Sequence, residues 1–202
     1  MIEYNDFDQG SAEWLQFRIG KIGGSNCKDV FKANNLDLID NIIAEIGSNL
    51  TDSTFVTYDM QRGKDLEPTV RRYFTAIHGI EVEEIAICQS DKYEWLTCSP
   101  DGFSKDRKIG IEIKCSKTKK HVQYIRMGVL PTEYKHQVFN YFLVNQKLET
   151  MYFISFDDRY KPKPYFEVKI DREDILNELE EMEAELVKFW AKLEKYKKIV
   201  EL

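Results

Sequence analysis

The hexapeptide Ile109-Gly110-Ile111-Glu112-Ile113-Lys114 restricts the fold more than any other stretch of the chain. Three β-branched residues at every second position fit a pleated strand, whose successive side chains point to opposite faces. Ile109, Ile111 and Ile113 then share a face directed at a core, and Glu112 and Lys114 stand together on the other, solvated one. Further period-two runs, at Ile80, Val82, Ile85 and Ile87 and at Trp95 to Cys98, read as strands around it. Met151 to Phe156 reads as a buried strand and Tyr165 to Ile170 as another.

Helical spacing brackets these strands. Ser11 is placed to cap a helix over Ala12 to Ile19, Gly20, Gly23 and Gly24 interrupt it, and Ser25 is expected to cap a short helix through Val30 and Phe31. Leu36 to Ile46 repeats apolar residues at helical spacing up to Gly47. Tyr58 to His78 continues the pattern to Gly79, and Pro68 within it predicts a kink near Glu67. Helix returns after Pro131, with Tyr134, Val138, Tyr141 and Phe142 on one stripe. In the last segment, Asp171 to Ile199, an apolar stripe from Ile175 to Tyr196 recurs at heptad spacing. It is read as a long helix packed on the domain rather than a coiled coil, which three heptads barely sustain.

This order predicts an α/β (α+β) domain with a central mixed β-sheet flanked by helices. At 202 residues the chain reads as one domain spanning 1–202. It has a helical front end at about 11–79, sheet and helices at about 80–170, and a C-terminal helix at about 171–199. A content of 43% hydrophobic residues, with 12 Phe and 11 Tyr, excludes intrinsic disorder. No apolar run approaches the roughly 18 residues of a membrane span, and the N-terminus lacks the order of a secretion signal, so an intracellular protein is expected. Cys27, Cys88, Cys98 and Cys115 are dispersed and expected to be buried thiols. Together with the scattered His78, His121 and His136 they offer no zinc spacing. A net charge of -6 weighs against a nucleic-acid partner without excluding one, because the placement of the charge decides.

The chemistry concentrates around Ser99-Pro100-Asp101-Gly102 and the strand that follows. Asp101, in a turn, can close a hairpin that brings a second carboxylate beside Glu112. Two carboxylates and the backbone carbonyl of Ile113 make an all-oxygen set suited to Mg²⁺ or Mn²⁺. Lys114 would orient or deprotonate an attacking water and offset transition-state charge, which is the equipment for phosphodiester hydrolysis. The same residues also describe an ordinary amphipathic strand after an ordinary turn, and what tips the balance is Glu67, placed by Pro68 where a kink can turn its carboxylate toward the site. Lys117, Lys119 and Lys120 form a basic cluster after the strand, placed to meet a DNA backbone or simply solvated.

Six blocks in order, Trp14 to Arg18, Gly23-Gly24-Ser25, Gly63-Lys64 with Glu67, Cys98 to Gly102, Glu112 to Cys115 and His136-Gln137-Val138, make the chain resemble the phage lambda exonuclease family. These are also called the YqaJ-type viral recombinase nucleases, within the restriction-endonuclease-like PD-(D/E)xK group. The resemblance implies processive 5′-to-3′ digestion of one strand of linear duplex DNA from a free 5′ end. The 3′ single strand is left for an annealing protein in phage-type recombination, in the cytoplasm of a bacterial host. It implies Asp101, Glu112, the Ile113 carbonyl and Glu67 as metal ligands, Lys114 as the catalytic lysine and Gln137 as a helical glutamine lining the site. Arg18, joined by Ser25, would hold the 5′-phosphate. A ring-shaped homotrimer around DNA is a family expectation that nothing in the sequence alone encodes. The chain departs from the pattern at Ser116, where a well-known member has proline, and between Phe31 and Tyr58. Two alternatives remain: an endonuclease of the same fold and a non-catalytic DNA-binding protein. An iron-sulfur variant is disfavoured, since it needs grouped cysteines.

Overall fold

The computed structural model describes residues 1–49 and 57–202. The unmatched stretch between Phe31 and Tyr58 therefore lies partly outside the described residues. In the front end, β1 (Ile2–Tyr4) is followed by α1 (Ala12–Arg18), α2 (Gly24–Cys27), α3 (Leu36–Ser48) and α4 (Tyr58–His78). The strands β2 (Val82–Glu83), β3 (Ile87–Gln89), β4 (Thr97–Cys98), β5 (Gly102–Ser104) and β6 (Ile109–Lys114) come next. The chain continues through α5 (Thr118–Met127), α6 (Thr132–Val144), β7 (Thr150–Phe156), β8 (Tyr165–Asp171) and α7 (Leu176–Ile199).

Ser11 caps α1 as its position predicts, accepting the Trp14 N–H at 3.1 Å. Ser25 does not cap α2. The cap is Gly23, in extended conformation, and its N–H donates to the Asn26 side chain at 2.8 Å, so Ser25 falls in the first turn with its hydroxyl free for other work. Helix α3 runs through Gly47 and stops at Asn49, which adopts a left-handed φ of 54° that asparagine tolerates. Helix α4 is unbroken through Pro68, so the expected distortion does not interrupt it. Helix α5 was not anticipated, because Lys119, Lys120 and Arg126 dilute its apolar face. Gly128, at a φ of 67°, ends it in the left-handed form that glycine adopts without strain.

The main sheet has the order β2-β5-β6-β7-β8. It is mixed: β6 and β7 run parallel, and every other pair is antiparallel. A small antiparallel sheet, β1-β3-β4, lies apart from it. A parallel pair requires a crossover, and the connection from β6 to β7 carries α5 and α6. On one face of the sheet Val70 and Phe74 of α4 pack with Ile111, Ile113 and Ile154. On the other, Val138 and Phe142 of α6 join Phe103, Met151 and Phe153, and α7 adds Leu179, Met182, Leu186, Phe189 and Leu193. The heptad stripe of α7 is thus buried within this domain.

The crossover corrects one expectation that matters for the site. Glu112 was placed on a solvated face, but α6 covers that face and leaves Glu112 only 1% exposed. Parallel pairs are covered on both sides by their connecting helices, whereas alternation alone suggests one wet face. Cys27, Cys88 and Cys98 are buried as expected, while Cys115, just past the end of β6, is half-buried. No helix among the described residues is long and apolar enough to cross a membrane.

Two details fix the frame around β6 and β7. Gly110 faces β7 so closely that a Cβ there would lie 2.3 Å from the Met151 sulfur and 2.7 Å from the Phe103 ring. At the far end of β7, buried Asp157 accepts from Arg62 of α4 at 3.0 Å, from Arg159 at 2.7 Å and from the Thr118 hydroxyl of α5. Burial pushes the Asp157 carboxyl up, but the hydrogen bonds from Arg159 and Thr118 outweigh it and leave the pKa below the ordinary value.

Gly110→Ala should overpack this layer and lower stability by about 1–3 kcal/mol in urea unfolding. An unchanged midpoint would refute the close approach. Asp157→Asn should cost about 2 kcal/mol at neutral pH. Because the folded pKa of Asp157 is depressed, its stabilisation is present above the unfolded value of about 4 and is lost as pH falls through the folded one. The difference between wild type and Asp157→Asn should therefore shrink on acidification, and a constant difference from pH 7 to pH 3 would contradict the assignment.

Candidate active site

The end of β6, the turn before β5 and the buried side of α6 meet at Glu112. Its Oε1 contacts the Lys114 ammonium and accepts from Gln137 Nε2 at 2.7 Å, and its Oε2 accepts from the Tyr141 hydroxyl. Gln137 and Tyr141 lie four residues apart on α6, so one helix face presents both donors to one carboxylate, and Gln137 also donates to the Tyr141 oxygen at 3.1 Å. Burial, reinforced by Glu112, raises the Tyr141 pKa well above its ordinary value, so the phenol keeps its proton and donates it.

Asp101 folds back onto β6 as its turn position predicts, with its Oδ2 accepting the Ile113 N–H at 2.6 Å. Burial, then the neighbouring Glu112, pushes its carboxyl well above the ordinary range, although Lys114 opposes this. Glu67, half-buried on α4, rises to about 7, first from burial and further from Glu84 and Glu112. The Lys114 ammonium is pushed down by burial, yet Glu112 and Asp101 more than offset this and hold its pKa above normal. Its Nζ also sits 5.1 Å from the centre of the Tyr134 ring. Asp101, Glu112, Lys114, Glu67 and Gln137 therefore form one electrostatically connected cluster.

The donors suit a hard cation: the set is all oxygen, and the raised pKa values of Asp101 and Glu67 express carboxylates crowded in a poorly solvated site, which a bound cation would relieve. Among the described residues no three His, Cys, Asp or Glu side chains are gathered at coordinating spacing. Instead Glu112 is held by Lys114, Gln137 and Tyr141, and Asp101 by a backbone N–H. A carboxylate offers about four lone pairs, so acceptor capacity remains on both.

Arg18 and Ser25 also meet, with the Arg18 guanidinium donating to the Ser25 hydroxyl at 3.0 Å and stacking 4.0 Å from the Trp14 ring centre. The Trp14 indole donates to the Ala86 carbonyl at 2.9 Å and to the Ser99 hydroxyl at 3.1 Å, anchoring this pair beside the Ser99-Pro100-Asp101 turn. Gly24 lies against Gln137, where a Cβ would come within 3.1 Å of the side chain. Lys117, Lys119 and Lys120 prove to surround the start of α5. Lys117 pairs with Asp59 at 3.3 Å, Lys120 pairs with Glu133 at 3.0 Å, and Lys119 is exposed. Sequence reasoning missed Tyr141 and Trp14 as members of the site. The four-residue spacing from Gln137 to Tyr141 is the signal that could find it, but Tyr141 reads as part of the apolar stripe with Tyr134, Val138 and Phe142.

A family model for the YqaJ-like viral recombinase domain matches residues 13–148. Among solved structures, the chain resembles an alkaline exonuclease (LHK-Exo) from Laribacter hongkongensis, with 28% identity over 94% of this chain and 98% of that one and a TM-score of 0.79. The same enzyme in complex with dAMP gives a TM-score of 0.80. A phage-related exonuclease from Haemophilus somnus 129PT, 14% identical over 87% of this chain and 96% of that one, shares the fold with a TM-score of 0.61. No curated protein sequence matches the chain.

Tyr141→Phe removes one of the donors to a buried carboxylate and should lower stability by about 1–2 kcal/mol in denaturant unfolding. A midpoint equal to wild type would mean that the hydroxyl does not serve Glu112.

Proposed function

The chain belongs to the YqaJ-like viral recombinase domain family, whose solved relatives include exonucleases, and from that premise we propose that it is a metal-dependent exonuclease. It degrades one strand of linear double-stranded DNA from the 5′ end and leaves 3′ overhangs for recombination. The observation that carries this reading is the junction of two groups: the cluster around Glu112 and the Arg18–Ser25 pair, joined through Trp14, Ser99 and Gln137.

In this reading Asp101, Glu112, Glu67 and the Ile113 carbonyl hold Mg²⁺ or Mn²⁺. When bound, such an ion polarises a phosphoryl oxygen and lowers the pKa of a coordinated water. Lys114, kept protonated by Glu112 and Asp101, donates to the attacking water or to the phosphoryl oxygens and offsets charge as it builds there. Gln137 and Tyr141 keep the Glu112 carboxylate oriented. Arg18 receives the 5′-phosphate with the fork geometry of a guanidinium, and the Ser25 hydroxyl, not consumed in capping, adds a donor. The lysines at the start of α5 meet the DNA backbone. Cations at a helix N-terminus oppose its dipole, a placement that an anionic partner makes favourable. The reading extends to a ring-shaped homotrimer and to transfer of the 3′ strand to an annealing protein.

Lys114→Ala should abolish Mg²⁺-dependent hydrolysis, a loss of at least about 10³-fold, while leaving DNA binding nearly intact. Retained cleavage would refute the role of Lys114. Linear duplexes with a 5′-phosphate or 5′-hydroxyl and a covalently closed circle, each incubated with Mg²⁺, test end dependence. Loss from the 5′ end of the linear DNAs only, faster with the phosphate, is expected, and Arg18→Ala should erase that preference. A circle cut as readily as the linear DNAs would make the enzyme an endonuclease.

A further inference from the structure

A cavity of about 730 Å³ opens on the side of the molecule next to Glu67, between α4 and the turn that joins β5 to β6. Pro68, the neighbour of Glu67 in the chain, lines it. Arg71, one turn further along α4, joins the cavity to the catalytic cluster by donating to the Asp101 carbonyl at 2.8 Å. Beyond it the walls carry Arg72 from α4 and Lys105 from the turn, both exposed.

The charges of these walls are not equivalent. Arg71 is engaged by Glu84 at 3.1 Å as well as by the Asp101 carbonyl, and Glu83 is engaged by Arg107 at 2.6 Å. Among the described residues Arg72 hydrogen-bonds only the neutral Thr69 hydroxyl, at 3.0 Å, and neither Arg72 nor Lys105 forms an ion pair. Two cations on opposite walls are therefore left against the single acid Glu81, in a protein whose net charge is -6. Such a local reversal of sign is the footprint of an anionic ligand.

Resting on the nuclease reading above, we propose that this groove binds the sugar-phosphate backbone of the substrate DNA next to the cleaved bond, with Arg72 and Lys105 each contacting a phosphate. The two side chains hold the strand in register with the carboxylates and take no part in the chemical step. Because they contact phosphates and no bases, the contribution is independent of sequence and falls with salt.

The test uses the full chain carrying Arg72→Ala and Lys105→Ala together, with a 5′-phosphorylated duplex, fluorescently labelled, titrated in EDTA at several salt concentrations. A blunt duplex and one with a 3′ single-stranded extension are compared, to show which part of the DNA the groove holds. Binding to at least one of them should weaken about fivefold at low salt. The slope of log Kd against log salt should fall by about 1.8 for contacts on the duplex, at ~0.9 per phosphate lost. Arg72→Lys with Lys105→Arg should restore the slope. An unchanged Kd and slope on both DNAs, with wild type still cutting, would overturn the groove alone. A wild-type protein that neither binds nor cuts DNA would overturn the nuclease reading and the groove with it.

Discussion

A carboxylate that is almost wholly removed from water must find its hydrogen bonds inside the protein, and Glu112 imposes that requirement on everything around it. Its partners come from two elements: Lys114, two residues on along the same strand, and Gln137 with Tyr141 on the covering helix. The position and rotation of α6 are thereby set by chemistry as much as by apolar packing. The buried Asn140, on the same helix, donates to the Thr97 carbonyl at 2.7 Å and ties α6 to the second sheet.

The parallel β6–β7 pair is what makes this arrangement attainable. A hairpin would return the chain at once and leave the polar face of β6 open to solvent. The crossover sends the chain over that face, and α6 lays Gln137 and Tyr141 on Glu112 while Val138 and Phe142 fill the adjoining core. Helix α4 performs the corresponding task on the opposite face, burying Val70 and Phe74 while carrying Glu67 and Arg71 toward the same end of the sheet. The node at Asp157 locks these layers, because it takes hydrogen bonds from α4 and α5 at the end of β7.

The electrostatics follow the same division. Acidic groups crowd where a hard cation would sit, so burial and mutual repulsion raise Asp101 and Glu67 while Lys114 is held in its charged form. Around this centre the cations are local and directed: Arg18 on Trp14 beside Ser25, the lysines that open α5, and Arg72 with Lys105 along the groove. A net acidic chain can therefore offer phosphate-binding positions without a basic surface overall.

Local sequence carried much of this. The alternation of Ile109, Ile111 and Ile113, the turn at Asp101 and the capping of α1 by Ser11 rest on contacts within a few residues, where strand pleat, turn chemistry and cap preferences act directly. The proximity of Asp101, Glu112 and Lys114 was legible for the same reason, since they lie close together in the chain. What pattern could not settle was which partner covers each face. Glu112 appeared solvated, because alternation reports two faces and not what packs on them. Tyr141 read as core although its hydroxyl serves the site, and α5 went unseen because lysines dilute its periodicity. The union of Trp14, Arg18 and Ser25 with Ser99 and Gln137 joins residues as many as 123 positions apart, and only the folded packing of α1, α2 and α6 around the sheet decides it.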